Sequence, residues 1–314
     1  MKQPHRSLVE TVLHSNVHQM KPYRKNWCIE TDHQKWIAKH VHPTWLRWWV
    51  QVDYELRLRG FTSMQPIRSD GGEWLFMPFI EGKTGRYSIR EDVEKMVETL
   101  AIFHRLGRRL MTPPIDEAAF LLSERIADRL NQFYRVLQKV EQLEAPLREL
   151  LLAHGRDFYL DGLAAWERLR QLPLTRFSLK ERRLHALSHR DLASHNWMVD
   201  KSGRVWLIDF ETASYDAQIG DVWQMVSRIL VENEWSEEWL RMFLVQYEKE
   251  RLLSSFEKKV LSVLLAFPNE FMREAIGLAE QKRGYRLKYS LPYLHKIAEC
   301  RSKWKSQSKQ LFYW

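Results

Sequence analysis

Apolar and polar residues alternate over short runs near the start of the chain, whereas apolar residues recur at helical spacing over most of the remainder. The alternating runs predict β-strands at residues 27–29, 35–41, 62–68 and 73–79. In the second run, Ile37, Lys39 and Val41 share one face, because successive side chains of a strand point to opposite sides. Lys39 is therefore predicted to point inward between apolar neighbours.

A helix is predicted directly after the second of these strands. Its apolar positions recur at intervals of three and four residues, at Trp45, Trp48, Trp49, Val52 and Leu56. Glu55 lies at the edge of this apolar stripe, so we expect its carboxylate to point inward rather than to solvent.

Beyond a connector at residues 80–87, the pattern becomes mainly helical, interrupted by one short β-hairpin. We therefore predict an α+β fold with two lobes. The small β-rich N-terminal lobe is assigned residues 1–79, and the large, mainly helical C-terminal lobe is assigned residues 80–314.

One segment has the pattern of a catalytic loop. Residues 189–196 read His-Arg-Asp-Leu-Ala-Ser-His-Asn, which fits H-x-D-x-x-x-x-N. A predicted hairpin with its turn at 200–203 follows, and its second strand ends at Asp209. This hairpin can fold Asp209 back onto the loop that carries Asp191 and Asn196.

These residue types suit phosphoryl transfer. A carboxylate such as Asp191 can align a hydroxyl and accept its proton. Asn196 and Asp209 offer the oxygen ligands that Mg²⁺ prefers. A lysine held by a carboxylate is then needed at the α- and β-phosphates, and Lys39 with Glu55 supplies that pair.

Two further residues are expected to support the loop. His189 is predicted to be a buried hydrogen-bonding residue, and Asp221 to accept backbone N–H groups of the loop. The structural alternative stays open, because aspartate and asparagine are also common as loop caps and turn residues. In that case Asp191, Asn196 and Asp209 would have no chemical role.

At these motifs the chain resembles the aminoglycoside phosphotransferase/choline kinase superfamily, and within it the bacterial spore coat kinase-like proteins. The resemblance covers most of the chain and rests on the segments WIAKHV, YELRLRGF, GEWLFMPFIEG, VETLAIFHRLG, SHRDLASHNWMV and LIDFE. It implies a bilobal protein-kinase-like fold, with ATP and Mg²⁺ as cofactors.

The resemblance also implies residue roles. It makes Asp191 the catalytic base, Asn196 and Asp209 the Mg²⁺ ligands, and Lys39 paired with Glu55 the contact to the phosphates. Met77, Phe79 and Ile80 fall where the hinge backbone of the family meets adenine.

The chain departs from the family pattern in two places. Residues 15–31, which correspond to the hairpin that covers the phosphates, contain no glycine, so the close backbone approach that glycine permits is lost. Arg190 stands where the small-molecule enzymes of the family commonly have glycine. Asp221 follows Asp209 by only 12 positions, which leaves no room for the long activation segment of a regulated protein kinase.

Two functions from different classes fit these observations. The first is an ATP-dependent phosphotransferase that transfers the γ-phosphate to a hydroxyl of a small molecule or of a spore coat protein. The second is a catalytically weak or inactive scaffold with the same fold that acts in spore coat assembly. Aminoglycoside resistance is less favoured, because a cationic acceptor calls for an acidic wall and residues 240–314 are basic.

Charge and composition add limits on location and partners. The net charge is +9, and residues 240–314 hold 15 lysines and arginines against seven acidic residues. Such a basic end attracts nucleic acid, an anionic surface or an acidic protein, or it is simply a solvated helical face; we favour the last reading and expect no nucleic-acid partner. Two cysteines and no apolar run of about 20 residues predict a cytoplasmic protein without a membrane span, with the spore coat as the alternative location.

Overall fold

The computed structural model describes residues 2–115 and 121–310. The small N-terminal lobe is an antiparallel five-stranded sheet in the order β1-β2-β3-β5-β4, flanked by two helices. Its elements are α1 (Arg6–Leu13), β1 (Val17–Tyr23), β2 (Asn26–Thr31), β3 (Lys35–His40), α2 (Pro43–Leu58), β4 (Arg68–Ser69) and β5 (Trp74–Pro78).

The hairpin predicted over 27–41 is confirmed as β2 and β3, and the strand predicted at 73–79 is confirmed as β5. The strand predicted at 62–68 is wrong except at its last residue. Pro66 has no N–H to give to a ladder. The backbone carbonyls of Thr62 and Ser63 instead accept hydrogen bonds from Arg204 and Leu207 of the other lobe.

The large lobe is mainly helical. Its first part holds β6 (Gly82–Thr84), α3 (Arg90–Leu106), α4 (Leu122–Gln138), α5 (Ala145–Arg170), α6 (Leu174–Arg183), β7 (Leu187–Ser188), β8 (Trp197–Asp200), β9 (Val205–Leu207) and β10 (Ser214–Tyr215). Its second part holds α7 (Ile219–Glu232), α8 (Glu237–Glu248), α9 (Ser255–Leu265), α10 (Asn269–Ala279), α11 (Leu287–Glu299) and α12 (Arg301–Gln310). The α+β, two-lobed architecture predicted from the sequence is confirmed.

Helix α2 of the small lobe packs against the large lobe. Its apolar side chains belong to the large hydrophobic core that continues into the C-terminal lobe. Trp49 stacks on Phe210, with ring centroids 4.6 Å apart. Two-residue strands β7 and β10 pair beside this contact and hold together the ends of the two segments that carry the candidate site.

The basic C-terminal helices pack on the body of the large lobe. Arg301 and Lys305 of α12 form ion pairs with Asp161 of α5, at 2.7 Å each. Trp304 is buried between them and donates its indole N–H to the carbonyl of Leu265. This part of the basic surplus is therefore neutralised within the fold, while the aromatic end at 311–314 lies outside the described residues.

Within the described ranges, no helix combines the length and the apolar character needed to cross a lipid bilayer.

Candidate active site

Lys39 and Asp209 meet in the cleft between the lobes. Lys39 Nζ lies 2.8 Å from Asp209 Oδ1 and 3.0 Å from Glu211 Oε1. Register places Lys39 opposite Leu75 in the middle of the sheet, and only 9% of its side chain is exposed. The predicted inward orientation of this lysine is therefore observed.

Asp209 sits at a backbone position that few residue types tolerate. Its φ is +66°, in the left-handed region where aspartate is enriched over other non-glycine residues. This turn ends strand β9 and aims the carboxylate at Lys39. Burial alone would raise the pKa of Asp209, but the charge and hydrogen bond of Lys39 outweigh it and hold the pKa below its ordinary value.

The catalytic-loop residues Asp191 and Asn196 lie next to each other. Asn196 is buried and donates its Nδ2 to the backbone carbonyl of Asp191 at 2.9 Å and to the Asp191 carboxylate at 3.1 Å. The Asp191 side chain is 40% exposed, so the opposite side of its carboxylate remains accessible. Arg228 approaches the same carboxylate at 3.9 Å.

Asp221 and His189 pack beneath this loop. Asp221 accepts the backbone N–H groups of His189 at 2.6 Å and Arg190 at 2.9 Å. His189 contacts the carbonyl of Ile208 through Nε2 at 3.0 Å, which ties the loop to the strand that precedes Asp209. Arg190 has φ +71°, the conformation that glycine adopts most easily, so these hydrogen bonds hold a non-glycine residue in a costly geometry.

A buried histidine that the sequence analysis missed completes this support. His104 of α3 contacts Asp221 at 3.1 Å through Nε2 and the Tyr247 hydroxyl at 2.7 Å through Nδ1. Burial lowers the pKa of His104, and the hydrogen bonds to the backbone and to His104 hold the pKa of Asp221 low despite burial. The only available signal was its position on the apolar face of a predicted helix, which is typical of any core residue.

The predicted pairing of Lys39 with Glu55 is wrong in this structure. Glu55 accepts the N–H groups of Met111 and Thr112 at 2.7 and 3.1 Å and pairs with Arg59 at 2.5 Å. Successive helix positions rotate by about 100°, so Glu55 lies on the side of α2 opposite the face that meets the cleft.

The α2 carboxylate on the cleft side is Asp53. Asp53 lines a small cavity of about 20 Å³ together with Lys39, Asp209, Trp49 and Met77. It follows Trp49 by one helical turn and is held by Arg57 at 2.8 Å. Burial raises the pKa of Asp53 and Arg57 offsets that effect only in part.

The residues assigned to adenine lie at and after the end of β5. Met77 lines the cavity beside Lys39 and pairs with Ile37 in the sheet. Phe79 and Ile80 are half-buried in the segment that leads to the other lobe, and the Phe79 N–H donates to the carbonyl of Lys35 at 2.8 Å. The structure thus places Met77 in the sheet and Phe79 and Ile80 on the connection between the lobes.

A lysine at the tip of the glycine-free hairpin also reaches the cleft. Lys25 lies in the two-residue turn between β1 and β2, after Arg24 with φ +56°. Its Nζ is 2.9 Å from Glu211 and 4.0 Å from Asp209. Burial alone would lower the pKa of Lys25, but the hydrogen bond to Glu211 and the charge of Asp209 raise it.

The donor set of this cleft fits a magnesium ion. In the described part of the chain, no group of three His, Cys, Asp or Glu side chains is arranged to hold a metal. Mg²⁺, however, binds few protein oxygens and keeps several waters. The Asn196 amide nitrogen donates to the Asp191 carbonyl, which leaves Oδ1 available to a cation. The Ile208 N–H donates to the Asn196 backbone carbonyl at 2.9 Å, so Asp209, the next residue, lies beside Asn196.

A family model described as "Phosphotransferase enzyme family" matches residues 24–257, which include every one of these cleft residues. The chain belongs to this phosphotransferase family. The match spans both lobes, from the hairpin tip to the helices behind the catalytic loop.

Solved structures of this phosphotransferase type have the same fold. An aminoglycoside phosphotransferase from Alicyclobacillus acidocaldarius superposes with a TM-score of 0.78 at 18% identity, covering 96% of this chain and 94% of that one. A spectinomycin phosphotransferase in complex with ADP and spectinomycin gives 0.66 at 11% identity, with 93% of each chain covered. Choline kinase LicA from Streptococcus pneumoniae gives 0.55 at 15%, covering 95% and 97%. At these identities the likeness establishes the kinase-like bilobal fold.

Proposed function

We propose that the protein is an ATP-dependent phosphotransferase that moves the γ-phosphate of ATP to a hydroxyl group. The observation that carries this proposal is the contact of Lys39 with Asp209 in the interlobe cleft, beside the Asp191–Asn196 pair. A cationic side chain from one lobe and three oxygen-bearing side chains from the other are the groups that a triphosphate and its cation need.

The proposed roles follow from the geometry. The acceptor hydroxyl lies against Asp191, its oxygen forms the bond to the γ-phosphorus, and the bond from that phosphorus to the ADP oxygen breaks. The hydroxyl proton passes to the Asp191 carboxylate, and ADP leaves with the bonding electron pair. Lys39 and Lys25 exchange their carboxylate partners for phosphate oxygens. Asn196 and Asp209 would hold Mg²⁺, which would neutralise part of the phosphate charge.

ATP as the donor is supported by the neighbours in fold, one of which was solved with ADP. Met77, Phe79 and Ile80 are the proposed adenine contacts on the connection between the lobes. We also propose that the lobes divide at residue 79 and that the protein is cytoplasmic.

The test combines nucleotide binding and turnover on the same protein. ATP with Mg²⁺ is expected to raise the free energy of unfolding by about 2.7 kcal/mol at 100 times its Kd. Asp191→Asn should keep this stabilisation, because Asp191 contacts the acceptor. It should slow the conversion of ATP to ADP, measured as ADP release, roughly 10²–10⁴-fold. The exposed Asp157→Asn is the matched control and should behave like the parent protein. Equal ADP release from the parent and Asp191→Asn would exclude the assigned role.

A second candidate function is a non-catalytic scaffold, as in spore coat assembly. It is favoured by the glycine-free hairpin, by the small cavity of about 20 Å³ beside Lys39, and by the carboxylates that already neutralise Lys39 and Lys25. A scaffold of this kind has no need to bind nucleotide. The absence of any stabilisation by ATP and Mg²⁺ in the same experiment would support it over the enzyme.

A further inference from the structure

A second and larger cavity lies beside the cleft. It has a volume of about 420 Å³ and is enclosed by α4, α7, α10 and the segment after Asp209. Trp45 and Glu211 line both this cavity and the small one at Lys39. Its walls also include Arg190 and Gln224, and Gln224 bonds the backbone of the catalytic loop at Leu192. A molecule bound here therefore lies next to the groups proposed for phosphoryl transfer.

The charges of the cavity wall are mostly positive. Among the described residues, its lining contains four arginines, at 125, 129, 190 and 273, and one carboxylate, Glu211. Glu211 already pairs with Lys39 and Lys25 on the other side. The described part of the wall is therefore the opposite of the acidic surface that a cationic acceptor requires.

The arginines differ in how far the protein itself neutralises them. Arg125 pairs with Asp216 at 3.0 Å, and Arg273 pairs with Glu270 at 2.9 Å. Within the part of the chain that the structure describes, the Arg129 guanidinium forms no hydrogen bond or ion pair. Burial and the charge of Arg273 lower the pKa of Arg129, and burial and the charge of Arg125 lower the pKa of Arg190 to about 10. Both pKa shifts are those expected for positive charges that lie close together and are partly removed from water.

A further, buried arginine lies near the proposed base Asp191. Arg228 Nη2 lies 3.9 Å from Asp191 Oδ1, and the buried Nη1 has no hydrogen-bond partner within the described ranges. Glu270 joins Arg228, at 3.5 Å, to Arg273 in the cavity wall. The ion pairs of Arg228 with Asp191 and with Glu270, and of Glu270 with Arg273, thus connect Asp191 to the cavity wall.

We propose that this cavity binds the anionic group, a phosphate or a carboxylate, of a hydroxylated acceptor, with Arg129 as the main ligand. The assignment of this ligand as the phosphoryl acceptor rests on the proposed function. A guanidinium presents paired N–H donors that match phosphate and carboxylate oxygens, and Arg129 has no partner to give up among the described residues. An acceptor anchored in this way would present its hydroxyl to Asp191.

The test measures binding to the full chain without nucleotide by isothermal titration calorimetry. Glucose 6-phosphate and glucuronate are the anionic probes for phosphate and carboxylate, glucose is the neutral probe and glucosamine the cationic one. We expect one or both anions to bind and the neutral and cationic sugars not to bind. Arg129→Gln should weaken the anion at least about tenfold, since a hydrogen bond to a charged group is lost.

Arg135→Gln is the matched control, because it removes the same charge from an exposed position on the same helix. It should leave the affinity unchanged. Phosphate that binds at Lys39 instead would be insensitive to both substitutions. Equal affinities for the two variants, failure of both anions to bind, or a preference for glucosamine would overturn the proposal.

The readouts separate this proposal from the proposed function. Anion binding that depends on Arg129, together with ADP release that does not depend on Asp191, would retain the cavity site and reject the transferase. Dependence of ADP release on Asp191, without Arg129-dependent anion binding, would retain the transferase and reject the anionic acceptor.

Discussion

At the scale of single residues, Glu211 neutralises the lysines that reach the cleft. It follows Asp209-Phe210 in the chain and pairs with two lysines of the small lobe, Lys39 at 3.0 Å and Lys25 at 2.9 Å. A triphosphate has to replace Glu211 at both lysines. Glu211 is therefore a competitor of the phosphates unless it takes a place beside the metal.

Glu211→Gln removes this competing charge while it keeps the size of the side chain. We expect the affinity for ATP to rise roughly threefold to tenfold in the absence of Mg²⁺, because like charges near a partly buried site repel. Titration of a fluorescent ATP analogue measures the change, and the exposed Glu167→Gln is the control. A lower affinity that occurs only when Mg²⁺ is present would instead make Glu211 a metal ligand.

The sequence was a good guide to Lys39 and a poor one to its partner. Strand alternation alone predicted the inward direction of Lys39, because a strand has only two faces. The choice of Glu55 failed because α2 is buried on two sides, so its apolar stripe did not indicate which side faces the sheet. Asp53, one turn after Trp49, was the residue on the cleft face. The partners of Glu211 and His104 lie on distant segments of the chain, so no local sequence pattern could predict them.

At the scale of elements, α2 is the part of the small lobe that is most firmly attached to the large one. Glu55 caps the backbone of Met111 and Thr112, and Arg59 donates to the carbonyls of Leu106 and Arg108. These are hydrogen bonds of charged groups to backbone atoms, which are stronger than neutral ones. Glu55 therefore has a structural role here.

Glu55→Gln tests this role against the one predicted from the sequence. We expect it to lower the free energy of unfolding by about 1–3 kcal/mol, measured by urea denaturation, and to leave the affinity for ATP unchanged. Glu98→Gln, at an exposed position of α3, is the control. An unchanged stability with weaker ATP binding would indicate that Glu55 pairs with Lys39 in the nucleotide complex.

Elements with a strong local signal were predicted well. The β2–β3 hairpin and the β8–β9 hairpin before Asp209 both have turn residues between alternating runs, and both are present. Residues 62–68 were also predicted to form a strand, but Pro66 and the hydrogen bonds between their backbone and the other lobe prevent one. Such contacts between lobes cannot be read from a local pattern.

At the scale of the whole molecule, buried histidines make stability depend on pH. Burial lowers the pKa of His104 and His189 below the ordinary value of 6.5, so both are neutral in the folded state. The unfolded chain takes up these protons as the pH falls below about 6.5, and the folded chain does so only at lower pH. Stability is therefore lost as the pH falls through this window.

We expect the free energy of unfolding to fall as the pH decreases below about 6.5, with a slope of at most roughly 1.4 kcal/mol per pH unit for each histidine. His104→Gln should remove about half of this slope, whatever it does to the stability at pH 7. His33→Gln, at an exposed position, should leave the slope unchanged. Urea denaturation at a series of pH values gives the measurement, and a slope that His104→Gln does not change would contradict the assignment.

The attachment of α2 to the large lobe has a consequence for how the cleft opens. Glu55, Arg59 and the Trp49–Phe210 stack anchor α2 to the large lobe, so we expect this helix to move together with that lobe. The β1–β2 hairpin is joined across the cleft by Lys25, whose two partners are exchangeable ions. We therefore expect access to the cleft to depend on these ion pairs at the hairpin tip, and salt that screens them to favour an open cleft.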